Sequence, residues 1–434
     1  MKTVKRWFGV LLCAALLSGC SFISGGDDLL QTPKPSESFV LLQKQLDQIM
    51  GDSMTYVSPQ SGSNRNTVTF EDIDGDGEEE AIAFLREGTG GKIYVYAFEL
   101  EDEEYRQIGC IEGQGSVLGS MSFLQLPDGE GKAIVLTWTL SGDVKQGLTV
   151  CSVRDGQLTD LLDATYTSYT VSDLDQDQAD ELFVVNYDDA GRKTAQLYDY
   201  ADGKMALLSQ TDATQDVQTV ANITQGSLDA DGHKAVFVDN KFENDNGMQT
   251  DIYVLDGTKL RNVALSANAS TYRTVSLYYS SDIDGDGIIE VPQLNAMPGY
   301  SDQDATKTLW MIDWYCYNMD GSTQRMQTTY DSLTEGWTLL FPQNWRRQVT
   351  AYTASEAGVS QTVFQEVGID DPLLTIYVFT GEDRQEAAAA GGLIDLGSTA
   401  DTCFAAKLGS GDSPYLLSEN QVVQAFSMIR NEWN

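Results

Sequence analysis

The sequence predicts a mainly β protein, a β-propeller of repeated four-stranded blades followed by a small α+β domain. Three observations predict it. An acidic nine-residue pattern occurs three times at near-even spacing. Short β-prone runs recur between Gly, Asp and Ser clusters from about residue 55 to residue 333. Beyond residue 335 strand-like and helix-like patterns alternate. With 434 residues and 41% hydrophobic content, the chain can bury two or three cores.

Taken in order, residues 1–19 read as a targeting segment. Lys2, Lys5 and Arg6 precede an apolar run, Trp7 to Leu17, that is too short to span a bilayer. Leu17-Ser18-Gly19-Cys20 then matches the bacterial lipobox, which makes Cys20 the expected lipidation site and new first residue. A diacylglyceryl group supplies the two chains that stable anchoring needs. Residues 20–35, with Gly25-Gly26 and Pro33-Lys34-Pro35, read as a flexible tether. The expected location is therefore extracytoplasmic, on the outer face of the cytoplasmic membrane. Ser36 can cap a helix over residues 36–51, with Phe39, Leu42, Leu46 and Ile49 on one face and Gly51 as its stop.

The strands that follow are exemplified by residues 92–98, 133–138, 182–187 and 251–255. The acidic pattern punctuates them. Its three copies are Asp72-Ile-Asp74-Gly-Asp76-Gly-Glu-Glu-Glu80, Asp173-Leu-Asp175-Gln-Asp177-Gln-Ala-Asp-Glu181 and Asp282-Ile-Asp284-Gly-Asp286-Gly-Ile-Ile-Glu290. Their starts, 72, 173 and 282, are 101 and 109 residues apart, about two units each. Eroded copies lie at the midpoints, around Asp128 and over Ser227-Leu-Asp229-Ala-Asp231-Gly232-His233. Five units of roughly 47–55 residues result, the length of a four-stranded blade. Five blades are expected; six or seven stay open if flanking strands build blades without a loop. From residue 335 to 434, strands near 348–354, 362–366, 373–380 and 402–407, a helix over 382–390 and a final helix from Ser418 carrying Val422, Phe426, Ile429 and Trp433 make up the α+β domain.

The units resemble FG-GAP or VCBS repeats, in which the D-x-D-x-D-G-x-x-[DE] loop joins the first two strands of a propeller blade. From the lipobox onward, the chain resembles FG-GAP-containing lipoproteins of clostridia-like Gram-positive bacteria. That resemblance implies a membrane-anchored propeller and does not name an activity.

Oxygen ligands at such density suit Ca²⁺. Side chains of Asp72, Asp74, Asp76 and Glu80 are expected on one ion with the Glu78 carbonyl. Asp173, Asp175, Asp177 and Glu181 form a second set with the Ala179 carbonyl. Asp282, Asp284, Asp286 and Glu290 form a third with the Ile288 carbonyl. Glycines at positions four and six allow a left-handed wrap; the middle loop has Gln176 and Gln178 there, and Gln178 would carry a steric cost, so this site is expected to be weakest. The midpoint copies are expected to be metal-free, with His233 a solvated turn residue. An EF-hand is excluded, because position twelve is Ala83, Val184 or Gln293 rather than glutamate, and β-prone sequence follows.

Net charge is −38; loss of Lys2, Lys5 and Arg6 with residues 1–19 leaves −41, which disfavours nucleic acid and anionic lipid headgroups. Cys110, Cys151, Cys316 and Cys403 have no zinc spacing and read as free thiols, with a Cys110–Cys151 disulfide as the alternative. The chain has a single histidine and no nucleophile elbow. The expected function is therefore that of a surface-anchored, calcium-stabilised, non-catalytic protein that binds a glycan, peptide or envelope protein. The alternatives are an extracellular carbohydrate-active hydrolase or lyase, using a carboxylate pair among the 65 acidic residues, and a structural or assembly lipoprotein.

Overall fold

The computed structural model describes residues 37–429 apart from 128, 141–145, 189, 243–246, 268, 302, 305–306, 357 and 391. Cys20, the targeting segment, the tether, the Ser36 cap and Trp433 lie outside the described residues. The chain is mainly β and propeller-like, with four- and five-stranded antiparallel sheets following one another in sequence.

Helix α1 (Glu37–Met50) comes first, on the bounds its apolar spacing predicts. The first sheet holds β1 (Met54–Tyr56), β2 (Val68–Glu71), β3 (Glu80–Glu87), β4 (Ile93–Glu101) and β5 (Glu104–Glu112); β1 and β2 pair in tandem with β3. The second holds β6 (Val117–Gln125), β7 (Lys132–Thr139), β8 (Gln146–Arg154) and β9 (Gln157–Tyr166). The third holds β10 (Ser168–Ser172), β11 (Glu181–Tyr187), β12 (Lys193–Ala201) and β13 (Lys204–Asp212). The fourth holds β14 (Val217–Ser227), β15 (Lys234–Phe242), β16 (Met248–Asp256) and β17 (Lys259–Asn262), followed by the single turn α2 (Val263–Ser266).

Local chemistry explains why these units repeat. The outer hairpin of each of the first three sheets closes through a two-residue loop, paired Glu101↔Glu104, Arg154↔Gln157 and Ala201↔Lys204. Those loops, Asp102-Glu103, Asp155-Gly156 and Asp202-Gly203, have both residues at positive φ. That is the type I′ geometry, whose twist matches the flanking strands. A β-bulge recurs at the same distance before the turn, at Ala97/Phe98, Val150/Cys151 and Leu197/Tyr198. The second strands are buried on both faces, as in β3, β7, β11 and β15, so their sequences read as apolar runs rather than alternations.

Neighbouring sheets share cores across their faces. Ile82, Phe84 and Val95 of the first sheet pack on Leu118, Met121 and Trp138 of the second. Equivalent clusters join the second to the third, the third to the fourth and the fourth to the fifth. The outer face of the first sheet is covered by α1 through Leu42 and Leu46.

The fifth sheet differs. Its strands are β18 (Val291–Ala296), β19 (Trp310–Tyr317), β20 (Thr323–Ser332) and β21 (Trp337–Leu340), with β27 (Phe426–Met428) returning from the C-terminus. The strand that should precede the third acidic loop has shrunk to one bridge, Ser281↔Glu290. The segment before it is instead pinned by Arg273, fully buried like its partner Asp239 at 2.7 Å. Thr250, Ser280 and Asn222 also donate to Asp239, and Arg273 Nε donates to the Tyr278 carbonyl.

The sixth sheet, order β22-β23-β24-β26-β25, holds β22 (Val349–Glu356), β23 (Val359–Glu366), β24 (Pro372–Thr380), β25 (Ile394–Ser398) and β26 (Thr402–Leu408). It packs on the fifth sheet through Trp337, Trp345, Phe364 and Phe404, and α3 (Arg384–Ala389) lies beside its far side. The boundary drawn at residue 335 thus falls inside the fifth sheet, because β21 hydrogen-bonds to β20. The final helix is also shorter than its apolar spacing predicts. Helix α4 (Glu419–Ala425) has the expected Ser418–Gln421 capping box, but Phe426 leaves the helix for β27 and stacks on Trp337 at 5.9 Å. The four described cysteines are free thiols; three are buried, and Cys110 is exposed rather than buried.

Breaking a buried ion pair leaves an uncompensated charge, at about 3–5 kcal/mol. Arg273→Leu is expected to lower unfolding stability by about that amount, read from the urea denaturation midpoint.

Candidate metal centres and an inter-sheet cleft

Each acidic loop joins the first two strands of its sheet: residues 72–79 between β2 and β3, and 173–180 between β10 and β11. The third, 282–289, leads from the Ser281 bridge into β18. The loops fold by side-chain-to-backbone bonds at equivalent positions. Asp72 accepts from the Gly75 and Gly77 amides at 2.8 and 3.1 Å, and Asp282 from Gly285 and Gly287 at 2.7 and 2.9 Å. Asp173 accepts from Asp177 and Gln178. The amides of Glu78, Ala179 and Ile288 donate to Asp76, Asp177 and Asp286, each at 2.8 Å. Positions four and six take positive φ throughout, including Gln176 at 65° and Gln178 at 78°. Those two glutamines carry the steric cost expected of a side chain in the left-handed region.

The structure brings most of the expected ligands together. Oxygens of Asp173, Asp175, Asp177 and Glu181 lie within 4.8 Å of one another, as do those of Asp72, Asp74 and Glu80, and those of Asp282, Asp284 and Asp286. Asp76 falls outside the first group and Glu290 outside the third. The middle loop, expected to be weakest from its glutamines, thus has the fullest convergence of carboxylates.

The ninth-position glutamates are the electrostatic centre of each loop. Glu80, Glu181 and Glu290 are at most 1% exposed. One oxygen of each accepts from the loop's second amide, Ile73 at 2.9 Å, Leu174 at 2.7 Å and Ile283 at 3.2 Å. Burial, reinforced by the neighbouring aspartates, raises these carboxyls to about 7, about 8 and about 7. The other oxygen of Glu290 is buried with no hydrogen-bond partner among the described residues. A buried orphan acceptor beside three aspartates is what a hard cation satisfies, so the donor set fits Ca²⁺.

The loops also stitch sheets together. The Lys132 amide donates to the Ile73 carbonyl, Asp180 exchanges bonds with Gln125, and Ser227 pairs with Gly287 and Ile289. The eroded second-sheet copy keeps this role. Its Gly131, at φ +72°, lies so close to the first loop that a Cβ would meet the Ile73 carbonyl at 2.4 Å. Its Glu130 pairs with Arg154 and accepts from Tyr200 of the third sheet. In the fourth-sheet copy, His233 is not simply a solvated turn residue. Its Nδ1 lies 2.9 Å from both oxygens of the buried Asp229, and Asp229, Asp231 and His233 converge as the acidic sets do. The spacing hid this pairing because His233 sits at the position where the other loops offer only a backbone carbonyl.

A second feature was not legible from motifs. A cleft of about 1000 Å³ opens between the fifth and sixth sheets, walled by residues 274–278, the start of β19, the 331–335 turn and the β22–β23 hairpin. Among the described tryptophans, Trp138, Trp314, Trp337 and Trp345 are buried, filling spaces within and between sheets. Trp310, half-buried, lines the cleft. So do Asp331, whose carboxyl burial raises, and Glu335, which accepts from Ser332 and Trp337.

No family model and no curated protein sequence matches this chain. Solved structures match at low identity. A rhamnogalacturonan lyase of Bacillus licheniformis is 12% identical with a TM-score of 0.29, over 82% of this chain and 72% of that one. Sqt1 of Chaetomium thermophilum is 11% identical with a TM-score of 0.30, over 75% and 81%. A 6-phosphogluconolactonase-like protein of Bacteroides fragilis is 12% identical with a TM-score of 0.26, over 85% of each. At these scores the likeness assigns no activity, substrate or partner to the chain.

Two outcomes follow from the loops. Gln176→Gly and Gln178→Gly are each expected to raise stability by about 1 kcal/mol, and Gly77→Gln to lower it by a similar amount, in calorimetric unfolding. The second concerns pH. Glu80, Glu181 and Glu290 hold protons more tightly folded than unfolded, so their favourable contribution is full below about 4.5 and fades as pH rises through about 7 to 8. In chelator, the melting temperature is expected to fall across that window; saturating Ca²⁺ is expected to flatten the slope.

Proposed function

We propose that this chain is an extracytoplasmic binding protein of the FG-GAP/VCBS kind, lipid-anchored through Cys20 and stabilised by up to three Ca²⁺ ions, with no catalytic role. One observation carries the calcium part of the reading. At three strand junctions, carboxylates converge beside a buried glutamate in loops that bridge neighbouring sheets. Asp72, Asp74 and Glu80, then Asp173, Asp175, Asp177 and Glu181, then Asp282, Asp284 and Asp286 with Glu290 behind them, would hold the ions. A bound cation supplies charge compensation there. The protein's own part is to present the carboxylates, keep the glutamate dry and tie the loop to the next sheet.

The anchor rests on the Leu17–Cys20 motif and its basic and apolar flanks. Among the described residues, no helix is long and apolar enough to cross a membrane. Ligand binding is inferred from an aromatic, hydroxyl-bearing cleft outside the loops. A hydrolase or lyase is the second reading, favoured by the two carboxylates, Asp331 and Glu335, in that cleft.

The test is thermal unfolding at graded free Ca²⁺. Each site whose ligand stands tenfold above its dissociation constant adds about 1.4 kcal/mol. The melting temperature is expected to climb with free Ca²⁺ through the millimolar range and to fall back in chelator. A variant carrying Asp74→Asn, Asp175→Asn and Asp284→Asn together is expected to lose the response. Identical melting in chelator and in 10 mM Ca²⁺ would remove the calcium reading.

A further inference from the structure

The cleft between the fifth and sixth sheets has a lining chemistry that narrows its ligand. Hydroxyls and an amide dominate the polar part, from Thr274, Ser276, Thr308, Ser355, Ser360 and Gln361. Its apolar part includes Trp310, which is half-buried, and Leu277, which is 61% exposed. Among the described residues that line it, none is basic, and two are acidic.

The wall formed by residues 274–278 is fixed rather than loose. Arg273 Nε donates to the Tyr278 carbonyl at 2.7 Å, and Arg273 is itself locked to Asp239. Tyr278 packs with Ile312 and Trp314. On the other side, the Glu335 carboxylate is held by Ser332 and Trp337, which shapes the 331–335 turn. A site built this way exists before its ligand arrives, so binding costs little ordering.

Each class of ligand can be weighed against that lining. An anion would meet two carboxylates and no cation, within a chain of net charge −38. A purely apolar ligand would strip water from the hydroxyls without replacing their hydrogen bonds. A molecule that has many neutral hydroxyls and also an apolar face meets both halves of the lining. The volume lies at the upper end of the usual range for small-ligand sites, which suits several linked rings better than one. An extended peptide is the competing occupant, because β22 pairs only with β23 and leaves one edge open. Part of that edge is taken, since the Ala351 carbonyl already accepts from Tyr300 Oη.

We propose that this cleft binds a neutral oligosaccharide, with Trp310 supplying the aromatic surface and the surrounding hydroxyls and Gln361 the hydrogen bonds. The proposal deepens the binding-protein reading above and rests on it.

The test titrates the full chain, in Ca²⁺, with cellohexaose, xylohexaose, chitohexaose and trigalacturonate, following tryptophan emission and calorimetric heat. At least one neutral oligomer is expected to bind saturably, and trigalacturonate is expected not to bind. Trp310→Ala is expected to weaken that binding at least tenfold. Ser355→Lys, at an exposed rim position, tests the same cleft without removing a packed side chain, and it is expected to weaken binding with unchanged melting. If no neutral oligomer binds, the proposal fails, whereas a retained Ca²⁺-dependent melting shift would leave the calcium-stabilised reading intact. If an oligomer binds equally well to both variants, the cleft is the wrong place and the binding-protein reading stands. Binding of the octapeptide (Thr-Val)₄ in place of every sugar would overturn the proposal in favour of strand addition on β22. Shortened oligomers recovered after incubation would replace the non-catalytic reading while supporting this site and ligand class.

Discussion

The buried glutamate that ends each acidic loop is the constraint on which the stitching of the sheets depends. Glu80, Glu181 and Glu290 are the first residues of the second strand in the first and third sheets and of the loop-closing bridge in the fifth. Each lies where a loop turns back into a strand whose first residues are buried. A carboxylate there is expensive unless something compensates it. One oxygen bonds the loop's second amide, which fixes the loop's shape. On the calcium reading, a cation would balance the charge that remains, as at the Glu290 oxygen with no partner among the described residues. Loop shape is therefore set by hydrogen bonds within the chain, and charge balance is left to a proton or, on the calcium reading, to a cation.

That division explains why the same loop can lose its acids and survive. Around Glu130 and Gly131, close backbone approach and the Arg154 pair still join three sheets. Around Asp229 a ring nitrogen stands where the other loops offer a backbone carbonyl. The sheets gain most of their stability from apolar packing across their faces, because none buries its second strand alone. The loops at the rim set which sheet meets which, and at what offset.

Much of the fold was legible because the signals were local. The bounds of α1 followed from four apolar residues at helical spacing and a closing glycine, and the blade strands from β-prone runs between turn residues. Positive φ at Gln176 and Gln178 followed from homologous positions in sister loops. What was not legible depended on partners distant in sequence. Phe426 has helical spacing with Val422, but Trp337 and the open edge of β21 draw it into a strand. β25 was hidden by its brevity and by Gly397 at φ +108°. Of the described tryptophans, nothing in the sequence marked Trp310 as the one left partly open, since its exposure is set by how the sixth sheet leans on the fifth.

The fifth sheet shows what happens when the repeat's own device is incomplete. Its first strand is reduced to the Ser281↔Glu290 bridge, and the segment before it pairs with the fourth sheet only through the Arg273↔Met248 bridge among the described residues. The Arg273 and Asp239 side chains add to that bridge, drawing the segment against the fourth sheet through a buried pair with further donors from Thr250 and Ser280. Arg346 and Asp313 act similarly between the fifth sheet and the chain entering the sixth. Buried pairs are weak sources of net stability, because desolvation offsets their attraction, but they penalise any arrangement that separates them. The cleft lies beside the first of these ties, since Arg273 holds its 274–278 wall through the Tyr278 carbonyl. The apolar cluster that joins the fifth and sixth sheets reaches the cleft at Tyr330, so one side chain belongs both to the packed interface and to the wall of the opening.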